Sequence, residues 1–141
     1  MLSQKARYAI RAVLYLAIHS EDNRPLTIEA LAKELELPHA FLAKVMKELV
    51  DKGFVHSIKG PHGGFYLSEA QQRKTLKQLI TVLDGPHLFQ GCIVGLPECD
   101  ETQPCPLHSS VALFRKSLEL QLSMQTIQVI AQLMKHTSMR V

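Results

Sequence analysis

PHAFLAKVMKELVDKGFVHSIKGPHGGFYL, residues 38–67, is the stretch that decides the fold. Apolar side chains recur at helical spacing over residues 38–51, and Gly53 stands just past the end, where a helix C-terminus favours glycine. Residues 54–58 and 65–67 then have strand-like composition on either side of a turn with three glycines and a proline. A helix followed directly by a hairpin predicts the third helix and the wing of a winged helix-turn-helix.

Two further helices are predicted before this stretch. Residues 4–19 have an amphipathic pattern, and IEALAKEL, residues 28–35, has a second one with Thr27 as its N-cap. A polar break at residues 21–25 separates the two helices. A tight turn then leads to Pro38, which we expect at the first position of the third helix. Two short helices across a tight turn, after a supporting helix, are typical of a helix-turn-helix.

The polar faces of the third helix and the wing supply candidate contacts to DNA. Exposed lysines on a helix suit phosphates, and a glycine-rich wing tip can approach a phosphate backbone or enter a minor groove. Two other interpretations remain open, namely an ordinary hairpin with a flexible turn and a solvated helix face that contacts nothing. The candidate residues are His39, Ala40, Ala43, Lys44 and Lys47 on the helix and Lys59, Gly60, His62 and Gly63 in the wing.

The sequence beyond the wing predicts a short helix, a loop and a long final helix. Thr75 and Gln78 have capping-box spacing, and residues 84–86, Asp-Gly-Pro, end the helix that they start. No proline or glycine interrupts the pattern from about Pro106 to Lys135. This long helix has more apolar width than one core face requires, so we expect one side to pack against a second copy of the chain. The alternative is a long helix folded wholly onto its own domain.

Apolar residues on the final helix form two bands, and they suggest how the chain is divided. We expect residues 1–70 to form the DNA-binding domain, residues 71–106 the connecting helix and cysteine loop, and residues 107–141 the dimerisation helix. The fold class expected is therefore mainly α, a winged helix-turn-helix head with a two-stranded wing plus a long C-terminal dimerisation helix. The bands comprise Val111, Phe114, Leu118 and Leu122, and Leu113, Leu120, Met124, Ile127 and Ile130.

Length and composition indicate a globular protein. The 141 residues are 46% hydrophobic and 21% charged, and the net charge of +3 permits nucleic-acid binding without requiring it. No apolar run is long enough to span a membrane, and the N-terminus lacks the pattern of a signal peptide, so we expect a cytoplasmic protein without a membrane partner. The sequence carries no nucleophile elbow, phosphate-binding glycine loop or paired-carboxylate motif, so we do not expect an enzyme.

All three cysteines lie in GCIVGLPECDETQPCPLH, residues 91–108. Six residues separate Cys92 from Cys99, and five separate Cys99 from Cys105. Three cysteines cannot all pair within one chain, and clustered thiols in a reducing compartment favour metal or redox chemistry. The residues alone leave open an iron–sulfur cluster, a zinc site of three cysteines and one histidine, and a metal-free thiol switch.

Other polar side chains near this loop are weaker candidates for a ligand. His87 is a rival for a fourth position, although an exposed loop histidine explains it more simply. The carboxylates of Glu98, Asp100 and Glu101 offer oxygen ligands, but their expected role is to keep the loop solvated.

Four features of the sequence together resemble the Rrf-two family of winged-helix transcriptional regulators. They are LSQKARYAIRAVLYLA at residues 2–17, KGPHGGFYL at residues 59–67, LDG at residues 83–85, and three cysteines before a long final helix. The resemblance covers nearly the whole chain. It implies a homodimer in which the third helix enters the major groove of double-stranded DNA and the wing the minor groove. The final helices would cross at the dimer interface, and the operator would be palindromic.

The resemblance also implies a set of cluster ligands. Cluster-binding members hold a 2Fe–2S or 4Fe–4S centre through three loop cysteines and one further ligand. Cys92, Cys99 and Cys105 match the cysteines, and His108 stands where some 2Fe–2S members have a histidine. Other members use an acidic residue of the partner's first helix, where this chain has Arg7, which cannot ligate iron. A 2Fe–2S cluster bound by the three cysteines and His108 is therefore favoured, with 4Fe–4S as the alternative.

The function expected is that of a repressor that senses iron–sulfur cluster, redox or nitric oxide status. The alternatives are a zinc-binding or thiol-redox regulator of the same fold, and a protein-interaction module that no longer binds DNA.

Overall fold

A computed structural model describes residues 1–19, 24–97 and 99–141. Within them the chain forms one two-stranded antiparallel sheet and eight helices, and the predicted winged-helix class is confirmed. No described helix is long and apolar enough to cross a bilayer. The predicted polar break at residues 21–25 lies partly outside the described residues, and Glu98 lies wholly outside them. The elements are α1 (Gln4–His19), α2 (Ile28–Leu35), α3 (His39–Asp51), β1 (His56–Ile58), β2 (Gly64–Tyr66), α4 (Glu69–Gln72), α5 (Leu76–Asp84), α6 (His87–Gln90), α7 (His108–Met124) and α8 (Ile127–His136).

Helix α1 is the centre of the head, and it packs against α2, α3, α5 and α8. Ala6, Ala9 and Ala12 are fully buried on α1. Such small side chains let neighbouring helices approach the backbone of α1 closely, because the distance between helix axes depends on the side chains at the contact. Larger side chains from the surrounding elements complete the core, among them Leu31, Leu42, Met46, Leu49, Leu79 and Ile127.

The predicted boundaries of α2 and α3 are close to those observed. Thr27 caps α2 by accepting a hydrogen bond from the N–H of Ala30 at 3.2 Å, as expected. Pro38 is the N-cap of α3 and not its first helical residue, since its ψ of 121° is extended. Gly53, with φ of 75°, ends α3 as predicted. The N–H groups of Gly53 and Phe54 bond back to Val50 and Leu49, which is the Schellman arrangement.

The wing strands are shorter than predicted because their outer residues belong to the core. Phe54, Val55 and Leu67 are almost completely buried, and they do not take part in the ladder of β1 and β2. Ser57 pairs with Phe65, and Leu26 adds an isolated bridge on the other side of Phe65. Strand β2 is therefore paired on both sides, with β1 on one side and with Leu26, just before α2, on the other.

The prediction of one continuous final helix is wrong. Gln125 has extended backbone angles, and Thr126 caps a new helix by accepting from the N–H of Val129 at 3.2 Å. Helix α8 turns back onto α1 with Ile127 and Ala131 buried, whereas none of the described residues of α7 is buried. The break carries no proline or glycine, so the periodicity could not reveal it.

Two short helices were not predicted. Ser68 and Gln71 form a capping box for α4, and their spacing is a signal that the sequence does contain. Helix α6 lies in the stretch without periodicity after Asp84 and buries Phe89. The capping box of Thr75 and Gln78 at the start of α5 is confirmed.

Candidate nucleic-acid interface and cysteine loop

A cleft of about 420 Å³ lies between α3 and the wing. Five of the nine predicted contact residues line it, while the other four, His39, Ala40, Lys44 and His62, are exposed but do not line it. Both lysines of the cleft are exposed, and three glycines bring bare backbone to its surface. The lining also includes the carboxylate of Glu29 and apolar side chains such as Phe65. Lysines and exposed main-chain N–H groups of this kind can contact the phosphates of a nucleic-acid backbone. The five lining residues are Ala43, Lys47, Lys59, Gly60 and Gly63.

Glycine is required at one position of the wing turn. A Cβ atom on Gly63 would lie 2.1 Å from the carbonyl oxygen of Ile58, which is far inside contact distance. The N–H of Gly63 donates to the carbonyl of Gly60 at 2.9 Å and closes the turn. The close approach of these backbones, more than general flexibility, explains the glycine in this part of the turn.

Side chains from α1 and α2 orient α3, and the sequence analysis did not identify them. Lys5 forms an ion pair with Glu48 at 3.1 Å, and Tyr8 meets Phe41 edge to face at 5.4 Å between ring centres. The Glu48 contact is near the C-terminal end of α3, whereas Phe41 is near its N-terminal end, where His39 also lies 3.6 Å from Glu29. The pKa of Glu29 is lowered, first by a backbone N–H of its helix N-terminus and then by His39. These contacts hold α3 by both of its ends.

The cysteine loop closes on the N-terminus of α7. The Sγ atom of Cys99 lies 3.2 Å from Nδ1 of His108, the first residue of α7. The guanidinium group of Arg115 lies against the same sulfur, with Nη2 at 3.4 Å, and it also donates to the carbonyl of Gly91. Arg115 was not predicted, although it follows His108 by seven residues and so shares its helix face. Arg115 thus contacts the loop at two positions, Gly91 at its start and Cys99 in its middle.

Cys92 lies beside Cys99 in a polar setting. Backbone N–H groups of Leu96 and Val94 lower the pKa of the Cys92 thiol, and a bond to the Cys99 side chain adds to this effect. The structure therefore brings Cys99 into contact with His108, at 3.2 Å between Sγ and Nδ1, and places Cys92 near Cys99. The third cysteine, Cys105, accepts a hydrogen bond at its main-chain carbonyl from the main-chain N–H of His108, at 2.9 Å.

Within residues 1–19, 24–97 and 99–141, no three histidine, cysteine or acidic side chains are gathered in a way that could hold a metal ion. The chemistry of the donor set nevertheless fits an iron–sulfur cluster, since thiolates and an imidazole are its usual protein ligands. Asp100 is engaged elsewhere, because one of its carboxylate oxygens accepts from the N–H and the hydroxyl of Thr102 at 2.7 Å.

Helix α7 presents a broad apolar face to solvent. Its large apolar side chains include four that are between 57% and 71% exposed. Several large exposed apolar side chains on one helix favour an interaction site, because removal of apolar surface from water is favourable. The four residues are Leu113, Phe114, Leu120 and Met124.

Comparisons with known proteins agree with this architecture. Residues 2–133 match the family Rrf2, described as iron-dependent transcriptional regulator. An HTH-type transcriptional regulator of Aquifex aeolicus is 36% identical over 110 residues, which are 77% of this chain and 75% of that protein. IscR of Erwinia tasmaniensis is 30% identical over 107 residues, 76% of this chain and 64% of IscR. CymR of B. subtilis, described as the global cysteine regulator, is 25% identical, with a TM-score of 0.76 over 94% of this chain and 96% of that chain.

Proposed function

Since the chain belongs to the Rrf2 family of transcriptional regulators, we propose that it is a homodimeric repressor that senses iron–sulfur cluster, redox or nitric oxide status through its cysteine loop. The observation that carries the sensing role is the contact of Cys99 with His108 at 3.2 Å. A soft thiol ligand from the loop thereby meets an imidazole at the start of α7. A chemical change in the loop would act directly on that helix.

DNA is bound by the cleft between α3 and the wing. The α3 face from His39 to Lys47 lies in the major groove, and residues 59–63 of the wing reach the minor groove. Lys44, Lys47 and Lys59 contact phosphates, and the glycines let the wing backbone come close to the sugar-phosphate edge. Residues 1–70 form this reading unit in the proposed division of the chain, and residues 71–106 connect it to the rest.

The apolar face of α7 is covered by a second copy of the chain. A two-fold pair of heads then meets a palindromic operator whose half-sites are about one helical turn apart. The dimerisation unit is residues 107–141, although α8 also packs on the head of its own chain. The four exposed large apolar side chains of α7, from Leu113 to Met124, are the expected centre of the interface.

Cys92, Cys99, Cys105 and His108 would hold a 2Fe–2S cluster in this protein, with 4Fe–4S as the less favoured type. Such a cluster would supply chemistry that oxidation, nitrosylation or loss of iron can change. Arg115 fixes the loop against α7 through the carbonyl of Gly91 and the Cys99 sulfur. The loop is thereby placed to bias how the two heads face one duplex.

A second candidate is a metal-free thiol switch, and the pair Cys92 and Cys99 favours it. Backbone N–H groups of Leu96 and Val94 lower the pKa of the Cys92 thiol, and the nearby Cys99 side chain adds to this effect, which favours the reactive thiolate. A peroxide would oxidise this pair to a disulfide, with the two electrons and the two protons leaving in the water and alcohol formed from it. Zinc held by the three cysteines and His108 is the remaining alternative.

Anaerobic purification with iron, sulfide and zinc analysis and a visible spectrum separates these candidates. The cluster predicts a coloured protein whose absorption the Cys92→Ala variant removes, while Ser109→Ala, an exposed neighbour on α7, leaves it intact. A colourless, iron-free protein overturns the cluster. A stoichiometric zinc content then supports the zinc site, and a peroxide-dependent loss of two free thiols supports the switch.

DNA binding needs a separate experiment, because the head could persist as an interaction module without it. We expect selection from a random DNA library to return a palindromic sequence, bound more weakly as salt rises. If no sequence is enriched over the library, the protein-interaction module is the better reading of the head.

A further inference from the structure

Lys74 contacts both the start of α8 and the C-terminal end of α3. Its main-chain carbonyl accepts the N–H of Ile127, the first residue of α8, at 2.9 Å. Its ammonium group donates to the carbonyl of Gly53, which ends the reading helix α3, also at 2.9 Å. We propose that Lys74 is a positioning residue that couples the junction between α7 and α8 to the C-terminal end of α3. The role of this coupling in sensing rests on the proposed function, since it names the route by which the loop would set DNA affinity.

On the α3 side of this link, Lys74 has two further neighbours. The Lys74 ammonium lies 4.4 Å from the ring centre of Phe54, which is buried in the core. The Gly53 carbonyl also accepts from the side-chain amide of Gln71, at 3.3 Å. Because Gly53 and Phe54 close the Schellman arrangement of α3, a displacement of Lys74 acts directly on the last turn of that helix.

The α7 side of the link is a short β-bridge. The N–H of Leu76 donates to the carbonyl of Gln125 at 3.3 Å, so residues 74 and 76 lie on either side of the pairing between Thr75 and Thr126. A second contact reinforces it, an ion pair between Lys77 and Glu119 at 2.6 Å. The start of α5 is therefore tied to α7 at two places.

Helix α7 carries the signal from the loop to these places. Arg115 contacts the Cys99 sulfur, and Glu119 follows it by one helical turn on the same face. The described contacts thus form a continuous series from Cys99 through Arg115 and Glu119 to the start of α5, and from Lys74 to α3. Spatial continuity suggests a route, and a measured interaction energy is needed to establish it.

A double-mutant cycle in the iron-free protein tests the link itself. Lys74→Met removes the ammonium but keeps the stem, and Thr126→Ala loosens the junction. The readout is amide hydrogen exchange at Phe54, the closing N–H of α3. We expect each single variant to raise the exchange rate at Phe54. In the double variant, the rate should be lower, by about threefold or more, than the product of the two single increases predicts. Effects that simply multiply would overturn the proposal.

Two further variants guard against a general loss of stability. Lys52→Met removes a lysine from the same groove and serves as the matched control, and we expect exchange at Phe54 to stay at the wild-type rate. Lys74→Arg keeps a cationic donor. We expect this variant to retain most of the coupling between residue 74 and Thr126 that the exchange rates measure. If Lys52→Met behaves like Lys74→Met, the effect is not specific to the Gly53 contact and the proposal fails.

DNA affinity with and without reconstituted iron and sulfide then tests the use of this link. If wild-type protein changes affinity by about tenfold, a normal size for coupling, Lys74→Met should reduce that change to about threefold or less. An unchanged ratio in Lys74→Met overturns the role of Lys74 in sensing. A wild-type protein with no change at all refutes cluster sensing, and the exchange cycle still decides whether the link exists.

Discussion

Thr75 and Thr126 pair in an antiparallel β-bridge while each caps a helix, Thr75 the start of α5 and Thr126 the start of α8. This double use is possible because an N-cap residue has extended backbone angles, with ψ of 158° at Thr75 and 157° at Thr126. Two N-caps can therefore present strand-like edges to each other. The bridge positions α8 on α1 and separates it from α7.

Loss of the cap at Thr126 should destabilise the protein. We expect Thr126→Ala to lower the free energy of unfolding by about 1 kcal/mol, because the N–H of Val129 loses its acceptor. Urea unfolding followed by circular dichroism measures the change. Thr126→Ser keeps the hydroxyl and is the control, so a loss as large in this variant would argue against the cap as the cause.

Replacement of His108 should weaken the cluster selectively. We expect the cluster of His108→Ala to be lost to a chelator about tenfold faster than that of the wild type, since a ligand is missing. Loss of visible absorption under anaerobic conditions follows the process. His136→Ala is the matched control, because His136 is an exposed histidine at the end of α8 and outside the cysteine loop. Equal loss in both variants, or in neither, would remove His108 from the ligand set.

The lysines of the cleft should contribute through phosphate contacts. We expect Lys47→Ala and Lys59→Ala each to weaken DNA binding and to reduce the slope of log K against log salt by about 1. Titration of fluorescent operator DNA over a range of salt concentrations gives the slope. Arg140→Ala removes a cation near the C-terminus, which lines a different cavity, and should leave the slope unchanged.

A charge on the exposed face of α7 should separate the dimer. We expect Phe114→Glu to raise the dimer dissociation constant about thirtyfold or more, because a central aromatic anchor often contributes about 2 kcal/mol. Sedimentation velocity measures the monomer fraction. Ile58→Glu is the control, because Ile58 is also an exposed apolar side chain, at 46%, but lies in the wing and outside residues 107–141. A Phe114→Glu protein that remains fully dimeric would place the interface elsewhere.

Much of the head could be predicted from short-range patterns. The caps at Thr27 and Thr75 and the stop at Gly53 depend on residues within about four positions, so the sequence contains their cause. The same local signal existed for α4 at Ser68 and was missed. The wing was located correctly, but its strand ends were not, because Phe54 and Leu67 are drawn into the core and away from the ladder.

The sequence by itself determined where the helices of the head start and stop, and that the three cysteines share one loop. The final helix breaks at Gln125 partly for a local reason, the N-cap at Thr126, but only the tertiary structure shows the bridge that joins Thr126 to Thr75, 51 residues away. Tertiary structure also decided that Arg115 meets Cys99 and that Lys74 meets Gly53. Local patterns depend only on residues that are close in sequence. These contacts form because the packing of α5, α7 and α8 brings groups that are distant in sequence within bonding distance.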